Sequence, residues 1–164
     1  MAFKLKGGEF MQFEDTIRKI IEEKCDDYFL GISDLSLAKN DIIEQGESFF
    51  AEYPLAISIG ITIPYAVTDE LLMSNTEIYK ETNCQLKYIT AHLSSLLQDE
   101  GYKALSVPKS KQMNNETFIS LHKLAANLAD LGQIENNLLV TPEVGPGVNW
   151  GTILTDAPLE AISL

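Results

Sequence analysis

Between Gly132 and Gly151 the chain reads GQIENNLLVTPEVGPGVNWG, with glycines at 132, 145, 147 and 151 and prolines at 142 and 146. Glycine reaches backbone shapes that side chains resist, and turns built on it can bring peptide N–H groups close to a ligand. A pocket lined by the backbone at Gly132, Gly145 and Gly147 and by Asn136, Asn137, Thr141 and Thr155 would suit an uncharged or amide-rich molecule. The same glycines would also serve to shape two turns of a hairpin. Residue types alone leave both readings open.

A second group lies in a helical pattern, where Tyr79 and Asn83 stand one turn apart on one face and could meet a ligand or partner. The alternative is a tyrosine ring packed in the core with its hydroxyl at the edge. The two histidines, His92 and His122, have no second His, Cys or carboxylate three or four residues on, so neither metal ligation nor base chemistry is indicated. Cys25 and Cys84 lie far apart and cannot supply the four thiolates of a four-iron cluster. Both are expected to be reduced, semi-buried helix residues. Walker loops, dinucleotide fingerprints, nucleophile elbows and His-Glu-x-x-His sequences are absent, which removes the mainstream nucleotide and hydrolase readings.

The elements that must position these residues follow from periodicity. Ile17, Ile20, Ile21 and Cys25 recur at helical spacing and predict a helix over 13–28, followed by a buried strand at Phe29–Ile32. A helix is expected over Ala38–Glu47, and the β-branched run Ala56–Ile63, closed by Pro64, is the clearest strand. Ile78, Leu86, Ile89, Leu93, Leu96 and Leu97 predict a long helix from about Asp69 to Asp99, ended by Gly101. A strand at Ala104–Pro108, a polar loop over 109–115, a helix over 116–131 and strands at Asn137–Val140 and Val148–Leu154 complete the pattern. This alternation predicts a single α/β domain over residues 1–164.

At 164 residues, with 45% apolar composition, the chain can bury a real core. Acidic residues outnumber basic ones 24 to 12, and the net charge of −12 speaks against nucleic acid as a direct partner. No apolar run approaches the roughly 20 residues of a membrane span, and the N-terminal residues lack the apolar stretch of a signal peptide. A cytoplasmic protein is expected.

The order helix, Leu131-Gly132, strand, Thr141-Pro142-Glu143-Val144-Gly145, strand, Thr155-Asp156-Ala157-Pro158-Leu159 resembles the corrinoid-handling core of the epoxyqueuosine reductase and reductive dehalogenase superfamily. Phe29–Asp34, Ala56–Gly60 and Leu97–Pro108 also fall in the family's order. The resemblance implies a three-layer, nitroreductase-like domain with a mixed sheet covered by helices. It further implies cobalamin or a related corrinoid, and less readily a flavin, held in one cleft by Asn83, Gly132, Asn136, Asn137, Thr141, Gly145, Gly147 and Thr155. Tyr79 would stand at the catalytic position. The sequence given ends five residues after Leu159, where the family continues into an iron–sulfur segment. Oxidoreductase chemistry would then require a separate ferredoxin-type donor, in an anaerobic host. A homodimer is a further expectation.

The departures from the family pattern matter equally. Where the family reads GLGWIGKN, its tryptophan, last glycine and lysine correspond to Gln133, Glu135 and Asn136. The family's Asp-Tyr-His landmark, whose aspartate is thought to deliver a proton, keeps only its tyrosine, Tyr79. These changes imply the alternative, a non-catalytic partner-binding or regulatory relative without cofactor or cluster.

Overall fold

The computed structural model describes residues 7–38, 52–63, 77–107, 121–135, 138–159 and 162–163. In order these form α1 (Gly7–Glu22), β1 (Tyr28–Asp34), a 3-10 turn (Leu35–Ala38), β2 (Leu55–Thr62), α2 (Glu77–Asp99), β3 (Ala104–Ser106), α3 (Leu121–Leu128), β4 (Gln133–Glu135), β5 (Leu138–Val140), β6 (Val148–Thr155) and β7 (Ile162–Ser163). Helices and strands mix as an α/β chain should. No helix among the described residues is long and apolar enough to cross a membrane.

Five strands form one sheet in the order β3-β6-β2-β1-β7, and β4 pairs with β5 as a separate hairpin. Where a mixed sheet was expected, every described pairing is antiparallel. The centre is the β2–β6 ladder, in which Leu55–Thr62 meets Thr155–Val148 residue for residue. β-branched side chains in β2 suit a strand flanked on both sides, and all eight residues of β6 are buried.

Strand side chains alternate between the two faces of the sheet. On one face Leu30, Ile32, Ile57, Ile59, Ile61 and Ile153 pack against Ile17 and Ile21 of α1 and Leu86, Ile89, Leu93 and Leu97 of α2. Each such aliphatic side chain contributes roughly 1.5–3 kcal/mol when removed from water. On the other face Ala56 and Leu154 meet Ala125 of α3, while Trp150, Val148 and Phe29 meet Ala126, Ala129, Leu131 and Leu139. The helix over 116–131 thus packs on the sheet as expected, observed at Leu121–Leu128.

Two helix ends follow the same rule. After α2, Gly101 at φ 93° turns the chain, with Gly101 N–H donating to Gln98 O and Tyr102 N–H to Leu97 O. After α3, Asp130 at φ 61° does so, with Asp130 N–H donating to Asn127 O and Leu131 N–H to Ala126 O. Both are Schellman caps, each with an apolar residue following the left-handed one.

Several boundaries need correction. The first helix runs from Gly7 to Glu22 rather than over 13–28. Asp26 and Asp27 would oppose the negative end of a longer helix dipole, and Tyr28 already belongs to β1. Cys25 therefore lies in the turn after α1 and not on a helix. β4 and β7 were not foreseen. The expected helix over 38–47, the stretch 69–76 and the segment 109–120 lie outside the described residues apart from position 38, which is in the 3-10 turn.

Candidate functional site

β6 carries a polar residue, Asn149, 2% exposed, on the face it shares with α2. Its Nδ2 donates to Thr82 Oγ1 and to Asn83 Oδ1, each at 2.8 Å, and Thr82 Oγ1 donates to Tyr79 O at 2.9 Å. The first turns of α2, with Tyr79 and Asn83, are thereby tied to the strand that follows the glycine-rich turns. Sequence reasoning missed Asn149. The available signal was a lone amide in the apolar run Val148–Leu154.

The turn from Thr141 to Gly145 closes on itself. Thr141 N–H donates to Gly145 O at 2.8 Å and Gly145 N–H to Thr141 O at 2.9 Å. The Thr141 hydroxyl donates to Gly145 O at 3.0 Å and accepts from Val144 N–H at 3.1 Å. Gly145 is required by its φ of 66°. Gly132 is required by close approach, since a Cβ there would come within 2.7 Å of Val140 O. Its carbonyl accepts from Asn127 Nδ2 at 2.8 Å. Gly147 is buried, and its carbonyl accepts from Ile63 N–H at 2.9 Å. Asn136 and Asn137 lie outside the described residues.

Thr155 is fully buried at the other end of β6. Its hydroxyl donates to Lys103 O at 2.7 Å and accepts from Ala157 N–H at 3.0 Å, while Asp156 Oδ1 accepts from Lys103 N–H at 2.7 Å. The Thr155–Leu159 exit is therefore a clasp on the approach to β3. Asn149 and Thr155 are six strand residues apart, about 20 Å at ~3.3 Å per residue. The structure joins Tyr79 and Asn83 through Thr82 and Asn149, gathers Gly132, Thr141 and Gly145 at the β4–β5 hairpin, and sets Thr155 apart from Asn83.

The remaining reactive groups are scattered. His122, at the start of α3, is buried with Nδ1 2.8 Å from Thr152 Oγ1. His92 is exposed and meets the Tyr88 ring edge-on at 5.8 Å. Cys84 is an exposed thiol on α2. Burial, then Asp26, Asp27 and Glu22, push the Cys25 thiol up to about 11, which opposes the thiolate a metal would require. Among the described residues no three His, Cys, Asp or Glu side chains are grouped to hold a metal ion.

The fold of the chain has counterparts among solved structures. A reductive dehalogenase, whose structure suggests a mechanism for B12-dependent dehalogenation, matches 99% of this chain and 24% of its own at 16% identity and a TM-score of 0.63. This chain has the fold of part of these reductases. An epoxyqueuosine reductase from Streptococcus thermophilus matches 92% of the chain and 48% of its own at 15% identity, TM-score 0.57. Another, solved with an epoxyqueuosine-modified tRNA stem loop, matches 94% and 48% at 13% identity, TM-score 0.57. The chain thus spans about half the length of these epoxyqueuosine reductases and about a quarter of the dehalogenase. At such identities the common ground is the fold. No family model matches the chain, and no curated protein sequence does.

Proposed function

We propose that this chain is an epoxyqueuosine reductase-like domain that keeps the scaffold of a corrinoid-dependent redox protein and works without the corrinoid, as a partner-binding or regulatory relative. One observation carries this reading: the groups that the resemblance assigns to the cofactor are, among the described residues, committed inside the fold. Thr141, Val144 and Gly145 use their N–H groups, and Thr141 its hydroxyl, within a single turn. Thr155 holds the clasp, and Asn83 Oδ1 holds Asn149. The space beside Gly132 and Gly151 is filled by Val140 O and by Leu86 and Thr90. An amide-rimmed macrocycle would have to break these bonds, each worth about 0.5–1.5 kcal/mol net. The described residues do not fit the group.

The single-domain, three-layer, nitroreductase-like description belongs to the same proposal, supported by helices packed on opposite faces of one sheet. With a net charge of −12, the partner best suited electrostatically presents a basic surface.

One observation favours the cofactor-binding reading, which would also need a separate ferredoxin-type donor. The Asn149–Thr82–Asn83 cluster sets polar side chains, two of them buried, between the start of α2 and the strand that follows the glycine-rich turns. The absorption spectrum of protein purified from a cobalamin-supplied anaerobic culture separates the readings. We expect no corrinoid bands; one corrinoid per chain would replace the partner-binding reading with the cofactor-binding one.

A further inference from the structure

The two faces of the central sheet differ in chemistry. Toward α1 and α2, β1 and β2 present Leu30, Ile32, Ile57, Ile59 and Ile61. Toward α3 the alternate positions of the same strands are Gly31, Ser33, Ala56, Ser58 and Gly60, with Phe29 and Thr62 at their ends. Small residues on this face let α3 and its cap come close: a Cβ at Gly31 would lie 2.8 Å from Ala129 Cβ. The layer is close-packed at this point, and its apolar contacts enclose polar side chains.

Two serine hydroxyls are sealed within it. Ser33 Oγ and Ser58 Oγ have no hydrogen-bond partner, and their residues are 1% and 0% exposed. Beside them the buried pair His122 Nδ1 and Thr152 Oγ1 meet at 2.8 Å. Strand register fixes the spacing. Ser58 stands directly opposite Thr152 on one side and Gly31 on the other, and Ser33 lies two residues beyond Gly31. Directly opposed side chains have Cβ atoms about 4.5–5.5 Å apart, and diagonal neighbours are about 7–8 Å apart or somewhat less. Ser33 and Ser58 are thus too distant to bond each other and close enough for one bridging molecule.

A sealed hydroxyl bears its full desolvation penalty unless something bonds it. Buried waters characteristically bond polar groups left over by the protein. We propose that a buried water bridges Ser33 Oγ and Ser58 Oγ and, with Ser58 directly opposite Thr152, continues the Thr152–His122 pair into a polar chain that docks α3 on the sheet. The site is independent of any cofactor.

Thermal unfolding of Ser33→Ala, Ser58→Ala and the double variant, all in the full chain, tests this. Each single variant removes one anchor of the same water, so each should lower Tm by about 2–4 °C. The double variant should fall no further than the worse single one, since both losses act through a single molecule. Neutral or stabilising single variants, or fully additive losses, would overturn the proposal. A crystal structure of the unmodified chain gives a readout that does not depend on the variants folding. Density for a water within hydrogen-bond distance of both hydroxyls is the expected result, and a direct Ser58–Thr152 bond with no water between the serines would refute it.

Discussion

Asn149, buried at the start of β6, donates its side-chain amide to Asn83 Oδ1 on α2 at 2.8 Å, so the strand and the long helix are joined by a polar contact inside their shared face. The same nitrogen reaches Thr82 Oγ1. Replacing Asn149 with Ala removes the donor from Asn83 Oδ1 and from Thr82 Oγ1, which keeps only its bond to Tyr79 O, and we expect a loss of about 1–3 kcal/mol in urea unfolding. A double-mutant cycle with Asn83→Ala should return a coupling of about 0.5–3 kcal/mol. A coupling near zero would mean that the contact does not hold the helix to the strand.

Gly60 is a packing requirement rather than a flexible point. A Cβ at this position would stand 2.6 Å from Trp150 Cζ3 and from Val148 Cγ1. Gly60→Ala should cost about 1–3 kcal/mol by overpacking. Because Trp150 is the chain's only tryptophan, its fluorescence should shift along with the loss of stability. An unchanged spectrum and Tm would contradict the packing described.

Asp130 occupies a left-handed position that glycine enters more easily. Its conformation carries a penalty of roughly 1–2 kcal/mol for an ordinary residue, offset in Asp130→Gly by about 0.4–1 kcal/mol of added unfolded-state freedom. We expect a net gain of about 0.5 kcal/mol, measured as a higher urea midpoint with an unchanged slope. A lower midpoint would show that the carboxylate has a role beyond the cap.

Much of the scaffold was legible because its signals are local. Gly101 stops α2 through a cap that only a left-handed residue completes, and the β-branched run Ala56–Ile63 could hardly be anything but a strand. β4 was missed because Gln133-Ile134-Glu135 is too short to show a period, and its pairing with β5 is a tertiary fact. The candidate site was less legible for a related reason. Glycines at 132 and 145 look the same in sequence whether they make room for a ligand or for Val140 O and a tight turn. Thr155 reads as a site residue until its hydroxyl is seen holding Lys103 O. Asn149 and His122 acquire meaning only through residues 66 and 30 positions away.

Stability should fall on the alkaline side through Cys25. Its thiol is raised from 9.0 to about 11, first by burial and then by Asp26, Asp27 and Glu22. The folded chain holds this proton more tightly than the unfolded one, so the contribution is complete below about pH 9 and is lost as pH rises through about 11. Tyr28, raised above 10.0 mainly by burial, acts in the same direction. Cys25→Ser should flatten the fall of the urea midpoint between pH 9 and 11, modestly, because the half-buried thiol is screened by solvent. At pH 8 a thiol reagent should modify exposed Cys84 first and Cys25 slowly. Equal rates would contradict this environment.

The most direct test of a reductase scaffold working without its corrinoid is an amide NMR titration of the full chain with hydroxocobalamin and, separately, with a flavin. We expect no saturable shifts at Asn83, Thr141, Gly145 or Thr155 up to concentrations that would reveal a millimolar Kd, about 4 kcal/mol of binding. Saturable shifts clustered at these residues with either ligand would contradict it, because the hydrogen bonds now committed within the turn, the clasp and the Asn149 contact would have to open for the ligand.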